Sequence, residues 1–228
     1  MDEKVEAAVA RWPEVPSVYG WLSLSERGQW RLHQDGTGWA PGCAAIPSDA
    51  PGESIESPQI RAFIDRNYAS DPHGRWYFQN GPQRVYIRLD AAPYILHVDN
   101  TLLALKTHNG LAVRHIDSWW IDDHGRLYAC TEHGPGLVSG RDTPAVFEAL
   151  HTAAGTPLLS VLEPALLDIG SAANDRIAPM NADTASGHQV WLRVEGAADQ
   201  NTAEPAPLHF CPASALPALL GFSQCPAP

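Results

Sequence analysis

The twenty residues Asp71–Asp90, DPHGRWYFQNGPQRVYIRLD, decide the fold class. Asp-Pro-His-Gly opens a turn, and apolar side chains then alternate, Trp76 and Phe78 before Asn80-Gly81-Pro82 and Val85, Ile87 and Leu89 after it. A period of two marks a strand with one buried face. Asn-Gly supplies the positive φ of a tight turn, and Pro82 has no N–H to give to a ladder, so it marks the bend. The expected element is a β-hairpin with arms Arg75–Gln79 and Gln83–Leu89. Its other face carries Arg75, Tyr77, Arg84, Tyr86 and Arg88.

The same alternation recurs to either side. Tyr19–Leu24 and Gln29–His33 pair about Ser25-Glu26-Arg27-Gly28, Tyr94–Val98 and Leu102–Lys106 about Asp99-Asn100, and Leu111–Ile121 and Arg126–Thr131 about Asp122-Asp123-His124-Gly125. Three segments have helical spacing instead. Asp2–Arg11 carries Val5, Ala8 and Val9 on one stripe. Ser57-Pro58 places an N-cap and a first-turn proline before Ile60, Phe63, Ile64 and Tyr68, all expected to face inward. Thr143-Pro144 opens a second capped helix with Val146, Phe147 and Leu150 inward. Gln34–Glu56 is rich in Gly and Pro, and irregular chain of that length is functional or mobile. Beyond Ala153 the composition turns to Ala, Pro and Leu. Here the expectations are helices at Leu158–Leu167 and Ala213–Leu220, strands at Gln189–Val194 and Pro207–Cys211, and a loop at Ala197–Ala206.

Together these elements predict an α+β protein, mainly antiparallel sheet in two roll-like lobes, with capped helices packed on the sheets. The expected division is an N-terminal lobe, residues 1–110, and a C-terminal β-rich lobe, residues 111–228, with an Ala/Pro-rich tail. The chain also echoes itself. Asp71-x-His73-Gly74-Arg75-x-Tyr77 returns as Asp122-x-His124-Gly125-Arg126-x-Tyr128, and Gly81-Pro82 as Gly134-Pro135. Glu26-Arg27-Gly28-Gln29-Trp30-Arg31 is a looser third copy, and Ser57-Pro58 parallels Thr143-Pro144. Duplication of a hairpin-plus-helix unit and the common chemistry of turns both account for this.

The totals narrow the function. A net charge of −11, with a pI near 5.2, repels polyanions, so nucleic acid and anionic membrane are not expected partners. The N-terminus has no apolar stretch of signal-peptide type, and no segment reaches the roughly 20 apolar residues of a membrane span. Cys43, Cys130, Cys211 and Cys225 are scattered, which without an export signal predicts reduced thiols and a bacterial cytoplasmic protein.

A family resemblance enters through four stretches: GWLSLSERGQWRL (20–32), SPQIRAFIDRNY (57–68), DPHGRWYFQNGPQRVYIRLD and APYIL (92–96). Over about residues 12–98, and toward Leu150, the chain resembles an uncharacterised family of bacterial proteins of unknown function. It is more faintly similar to another such family, in which G-x-W, a short helix, D-x-x-G-x-Y-x-L and D-x-P-[YF] follow in order. The resemblance implies two β-rich roll-like lobes and no reaction.

Of the chemical readings, metal binding draws on His115, Asp117, Asp122, Asp123, His124 and His133, but turn chemistry explains the Asp-x-His-Gly units without a metal. No nucleophile elbow, phosphate loop or dinucleotide fingerprint is present, and no cofactor is expected. Eight tryptophans favour a Trp-rich core, Trp76 beside Phe78 and Trp21 with its strand neighbours. Trp39 lies in the Gly/Pro loop, and Trp119 and Trp120 must point to opposite faces. The sharpest candidate is the row Arg75, Tyr77, Arg84, Tyr86, Arg88. Guanidinium groups interleaved with phenols can grip a carboxylate or phosphate, and the ordinary alternative is a solvated face balanced by Asp65, Asp71 and Asp90. The expected function is thus a non-catalytic module that binds a small anionic molecule or an acidic segment of a protein partner. The rival is a hydrolase using His73, His124 or His115, with or without a metal.

Overall fold

The computed structural model of the chain describes residues 1–38, 52–99, 104–160, 162, 178–179, 191–194 and 204–227. They form two compact units, Met1–Pro93 with Pro217–Pro228, and Tyr94–Leu216. Residues 94–110 thus fall in the second unit rather than the first, and the C-terminal tail falls in the first.

The first unit begins with helix α1, Glu3–Arg11, then strands β1, Val18–Leu24, and β2, Trp30–Leu32, and the short β3, Glu53–Ser54. Helix α2, Pro58–Arg66, leads into a meander of β4, Tyr68–Ser70, β5, Trp76–Asn80, and β6, Gln83–Leu89. Strand β6 closes beside β1 in parallel, giving the order β3-β2-β1-β6-β5-β4. The β5–β6 hairpin turns on Gly81-Pro82, with Gly81 at φ +56°, so the positive φ falls on the glycine alone. Trp76, Phe78, Val85, Ile87 and Leu89 are all buried, Ile87 and Leu89 completely. Leu22, Leu24 and Trp30 join them through the pairings Leu22↔Ile87, Leu24↔Leu89 and Leu24↔Trp30. Because Leu22 and Leu24 point inward, Trp21, one residue before Leu22, must point away, and it is 42% exposed rather than in the core.

Helix α2 starts as its sequence dictates: the Ser57 hydroxyl accepts from the Ile60 amide, and Pro58 occupies the first turn. It packs Phe63 edge-on to Phe78 and buries Ile64. Two expectations fail at its ends. Ile60 is 52% exposed, and Tyr68 lies in β4, because the Asn67 side chain donates to the Phe63 carbonyl and stops the helix. Tyr68 reaches the core from β4, against Trp30 and Trp76.

The second unit has strands β7, Tyr94–Asp99, and β8, Ala104–Thr107, then a meander of β9, Ile116–Asp122, β10, Leu127–Thr131, and β11, Gly134–Val138. Helix α3, Thr143–Ala149, follows, and then β12, Leu150–Thr152, β13, Ala178–Pro179, β14, Trp191–Val194, and β15, Ala206–Cys211; helix α4, Leu216–Leu219, has all but its first residue in the C-terminal segment of the first unit. The order is β12-β14-β15-β9-β10-β11-β7-β8, with β13 against β15. Again a hairpin is followed by a three-stranded meander whose last strand returns parallel to the hairpin's first: β11 beside β7, as β6 beside β1. The Asp71 and Asp122 turns occupy the same place, between the first and second meander strands.

The echo is therefore a repeated hairpin-plus-meander. The helices do not belong to it, since α2 precedes its meander and α3 follows. Nor is Thr143 a cap: its hydroxyl donates to the Ser139 carbonyl, and Asp142, at the N-cap, makes no capping bond. Gly134-Pro135 starts strand β11 and is not the counterpart of the Gly81-Pro82 bend.

Turn chemistry accounts for another part of the echo. Five described turns share one hydrogen-bond plan, at Ser25–Gln29, Asp71–Arg75, Thr107–Leu111, Asp122–Arg126 and Thr152–Thr156. The first residue's N–H donates to the fifth residue's carbonyl and its own carbonyl accepts from the fourth, always glycine at positive φ. Its side-chain oxygen accepts from the fifth amide. Ser, Thr and Asp are interchangeable here because each has a short side chain whose oxygen reaches that amide, a hydroxyl on Cβ in Ser and Thr and a carboxylate on Cγ in Asp.

The tail closes the first unit, with Ser223 N–H donating to Gly74 O and Leu89 N–H to Gln224 O. Cys225 is disulfide-bonded, whereas Cys130 and Cys211 are free. This corrects the expectation of four reduced thiols, and a disulfide sits poorly with a reducing compartment. No helix among the described residues is long and apolar enough to cross a membrane.

Candidate functional site

Cross-strand register assembles the candidate face of the first sheet. Tyr77 pairs with Tyr86 and Gln79 with Arg84, so Arg75, Tyr77, Arg84, Tyr86 and Arg88 share one side of β5–β6. On the far side of β6, Ser23 pairs with Arg88 and also with Arg31, which extends the face across β1 and β2.

This face is covered, not solvated. Tyr77, Tyr86, Gln79, Ser23 and Arg88 are buried, Arg75 is half-buried, and Arg84 is exposed. The cause is aromatic packing: Tyr19 stacks on Tyr86 at 4.8 Å between centroids, and Tyr77 meets Tyr86 edge-on at 5.8 Å. The Arg75 guanidinium lies 4.8 Å from the Tyr86 ring centre, and that of Arg84 4.8 Å from Tyr77, the geometry of cation–π contact. The expectation that all three guanidinium groups point outward is corrected for Arg88 and in part for Arg75.

Arg75 is occupied by its own turn. Its Nε donates to Asp71 Oδ2 at 2.8 Å, and the Tyr86 hydroxyl donates to the same oxygen at 3.0 Å. Asp71 Oδ1 accepts from the amides of His73 and Arg75 at 2.9 and 3.1 Å. Burial pushes the Asp71 carboxyl up, but these four donors outweigh it and hold it below its usual value. A depressed carboxylate contributes stability that is full above its unfolded value, near 4, and is lost as pH falls through the folded one. The stability gap between parent and Asp71→Asn is therefore expected to be constant from pH 7 to 5 and to close below about pH 4. Urea midpoints at stepped pH check this, and a gap that persists to pH 2 would refute it.

The second unit repeats the clasp. Asp122 Oδ1 accepts from the amides of His124 and Arg126 at 2.9 and 2.8 Å, and Oδ2 from Arg126 Nε at 2.7 Å and the Tyr128 hydroxyl at 3.3 Å. Tyr128 comes from within the motif, whereas Tyr86 reaches across the ladder, so Tyr77 is left free to carry Arg84.

Arg88 differs from the other arginines. It is 5% exposed, Nη1 donates to the Gly38 carbonyl at 2.8 Å, and Nε meets Asp90 Oδ1 at a long 3.3 Å. Its Nη2 is buried with no hydrogen-bond partner. Asp90 is a weak counter-charge: burial pushes its carboxyl up despite Arg88. Beside Arg88, Ser23 Oγ lies 2.8 Å from His33 Nε2, both buried. The chain runs close on the His33 ring at two glycines, where a Cβ would come within 2.6 Å at Gly38 and 2.7 Å at Gly52. Burial first, then Arg88 and Arg31, pushes the His33 imidazole below its ordinary value, so it is neutral at neutral pH.

Sequence reading missed Ser23, His33 and Gly38. One signal was present: Arg31 and His33 are two residues apart and so share a side, and Ser23 has the parity that puts it opposite Arg31.

The other candidates are dispersed. His73 and His124 sit in exposed turns, and exposed His115 pairs with Asp117 at 3.0 Å. No group of three or more metal-ligating side chains occurs among the described residues. Trp119 is fully buried while Trp120, half-buried, stacks on His209 at 4.4 Å. Trp39 lies outside the described residues, as do most of Gln34–Glu56 and Leu158–Leu167.

The chain matches, over residues 1–227, the family model described as a protein of unknown function (DUF2946), and it belongs to that family. The comparison with curated proteins finds no match. Among solved structures, a DUF1285 family protein from Silicibacter pomeroyi DSS-3 is similar at 15% identity and a TM-score of 0.41, covering 59% of this chain and 71% of that one. Another, from Shewanella baltica OS155, is similar at 13% identity and 0.37, covering 55% and 89%.

Proposed function

We propose that this member of a family of unknown function is a non-catalytic binding module that holds a small anion on the arginine face of its first sheet. The observation that carries the reading is Arg88 Nη2, a buried cationic donor left without a partner. A buried donor costs roughly 1–3 kcal/mol when unmade, more when charged, and a carboxylate or phosphate oxygen removes that cost. Charge favours the same occupant, since Arg88 and Arg31 flank Ser23 and the nearest carboxylate of the face is the weakly paired Asp90.

The burial of Arg88 favours a small molecule over an acidic peptide, which would need an exposed row of donors. The five residues of the hairpin then divide their roles. Arg88 is the anchor, Tyr77 and Tyr86 wall the face, Arg75 is committed to Asp71, and exposed Arg84 draws anions toward it. Arg84 lies four residues from Arg88 along one strand, about 13 Å, too far for one small oxyanion to touch both. A cytoplasmic bacterial setting remains part of this proposal, and the Cys225 disulfide weighs against it.

Thermal unfolding with rising acetate or phosphate tests the reading. The melting temperature of the parent is expected to climb, by about 2.7 kcal/mol of stabilisation at a hundredfold excess over Kd. Arg88→Met should abolish the climb. Arg84→Ala should keep it with affinity lowered less than about threefold, because a charge at that distance is screened. A parent insensitive to both anions would end the proposal.

A further inference from the structure

We infer that the anion held by Arg88 is bound together with a proton taken up by His33, so that Ser23 and Arg88 become its two hydrogen-bond donors. This rests on the anion-binding reading above. It follows from how the Ser23 hydroxyl is used: at 2.8 Å from His33 Nε2, one proton lies between the two atoms. We assign the neutral ring its Nδ1–H tautomer, in which Nε2 is bare, Ser23 spends its proton on the imidazole and an incoming oxygen is offered only lone pairs. Once His33 is protonated, Nε2–H donates to Ser23 Oγ and the hydroxyl proton is free to turn toward the anion.

Register puts Ser23 directly beside Arg88. Gly38 ties the two halves together, its carbonyl accepting from Arg88 Nη1 while its α-carbon closes on the His33 ring.

The charges around His33 supply the coupling. Among the described residues they are Arg31 on β2, Arg88 on β6 and Asp90 just beyond it; Ser23 faces the ring from β1, and Glu53 on β3 is bonded to Gln34 at the surface. Arg31 and Arg88 both oppose a third positive charge. An anion against Arg88 cancels part of that opposition, so the bound protein holds its His33 proton to higher pH than the free protein does. The linkage sign follows: as pH rises between the free and bound His33 values, affinity falls about tenfold per pH unit. Above both values it levels off.

Isothermal titration of acetate and of inorganic phosphate into the full chain, each in two buffers of different ionisation enthalpy between pH 5 and 8, tests this. The expected result is uptake of about one proton per anion, shown as a heat that changes with the buffer. His33→Gln, which keeps a polar group beside Ser23, should bind acetate without proton uptake, so that the heat no longer changes with the buffer and the pH dependence of the parent is lost. The arm with the larger affinity assigns the ligand as carboxylate or phosphate. Phosphate titrates near neutrality itself, so the acetate arm and the His33→Gln control isolate the protein's proton. Binding without proton uptake across the whole range would overturn this inference and leave the anion site standing. Binding of neither probe, even at pH 5, would overturn both.

Discussion

Replacing Asp122 with alanine is expected to destabilise the protein by about 3 kcal/mol. The carboxylate is completely buried and accepts from two main-chain amides, one guanidinium and one phenol. Removing one partner of a buried ion pair costs roughly 3–5 kcal/mol, because the other charge is left unpaired. Here Arg126 keeps a third of its side chain in water, so it can rehydrate, and the lower end applies. The turn amides raise the cost again, since Asp122 Oδ1 accepts from the amides of both His124 and Arg126. Tyr128→Phe removes the 3.3 Å bond to Asp122, keeps a ring beside Arg126 and should cost under about 1 kcal/mol. Urea unfolding gives the midpoints, and hydrogen exchange in β9 and β10 localises the loss. If Asp122→Ala costs no more than Tyr128→Phe, the clasp is a solvated ion pair and its burial contributes nothing.

The clasp also shows what was legible in the residues. Asp-x-x-Gly is read as a turn from one short stretch, because the oxygen that accepts the fifth amide and the glycine that takes positive φ lie within that stretch. The alternation of Trp76, Phe78, Val85, Ile87 and Leu89 is equally local, and it placed the hairpin correctly. Pairing between distant strands carries no such signal. Nothing in Val18–Leu24 announces a parallel partner at Gln83–Leu89, and that pairing makes β6 an inner strand with both faces covered. Hence the five residues were assigned to one face correctly while the burial of Arg88 was not foreseen. His33 escaped although the expected strand Gln29–His33 contained it, because alternation gives a side chain's face and not its partners, and His33 lies one residue past the end of β2.

Gly74→Ala and Gly125→Ala are expected to diverge, although the two glycines hold the same place in the same motif. Both have positive φ, +71° and +73°, so each alanine carries the left-handed penalty of roughly 1–2 kcal/mol. Around Gly125 an added Cβ meets open space, and the penalty is the whole cost. At Gly74 the Cβ would lie 2.1 Å from the Gly221 carbonyl oxygen and 3.0 Å from its carbon. Main chain cannot turn aside as a side chain can, so the 221–227 segment must move, at a further 1–3 kcal/mol for overpacking. That movement strains Ser223 N–H to Gly74 O and Leu89 N–H to Gln224 O, which attach the tail to the Asp71 turn and to β6. Gly74→Ala should therefore cost about 2–5 kcal/mol and Gly125→Ala about 1–2. Limited proteolysis separates strain from displacement, since only Gly74→Ala should expose the tail to a carboxypeptidase. Equal losses in the two variants would mean that the tail does not hold Gly74 in place.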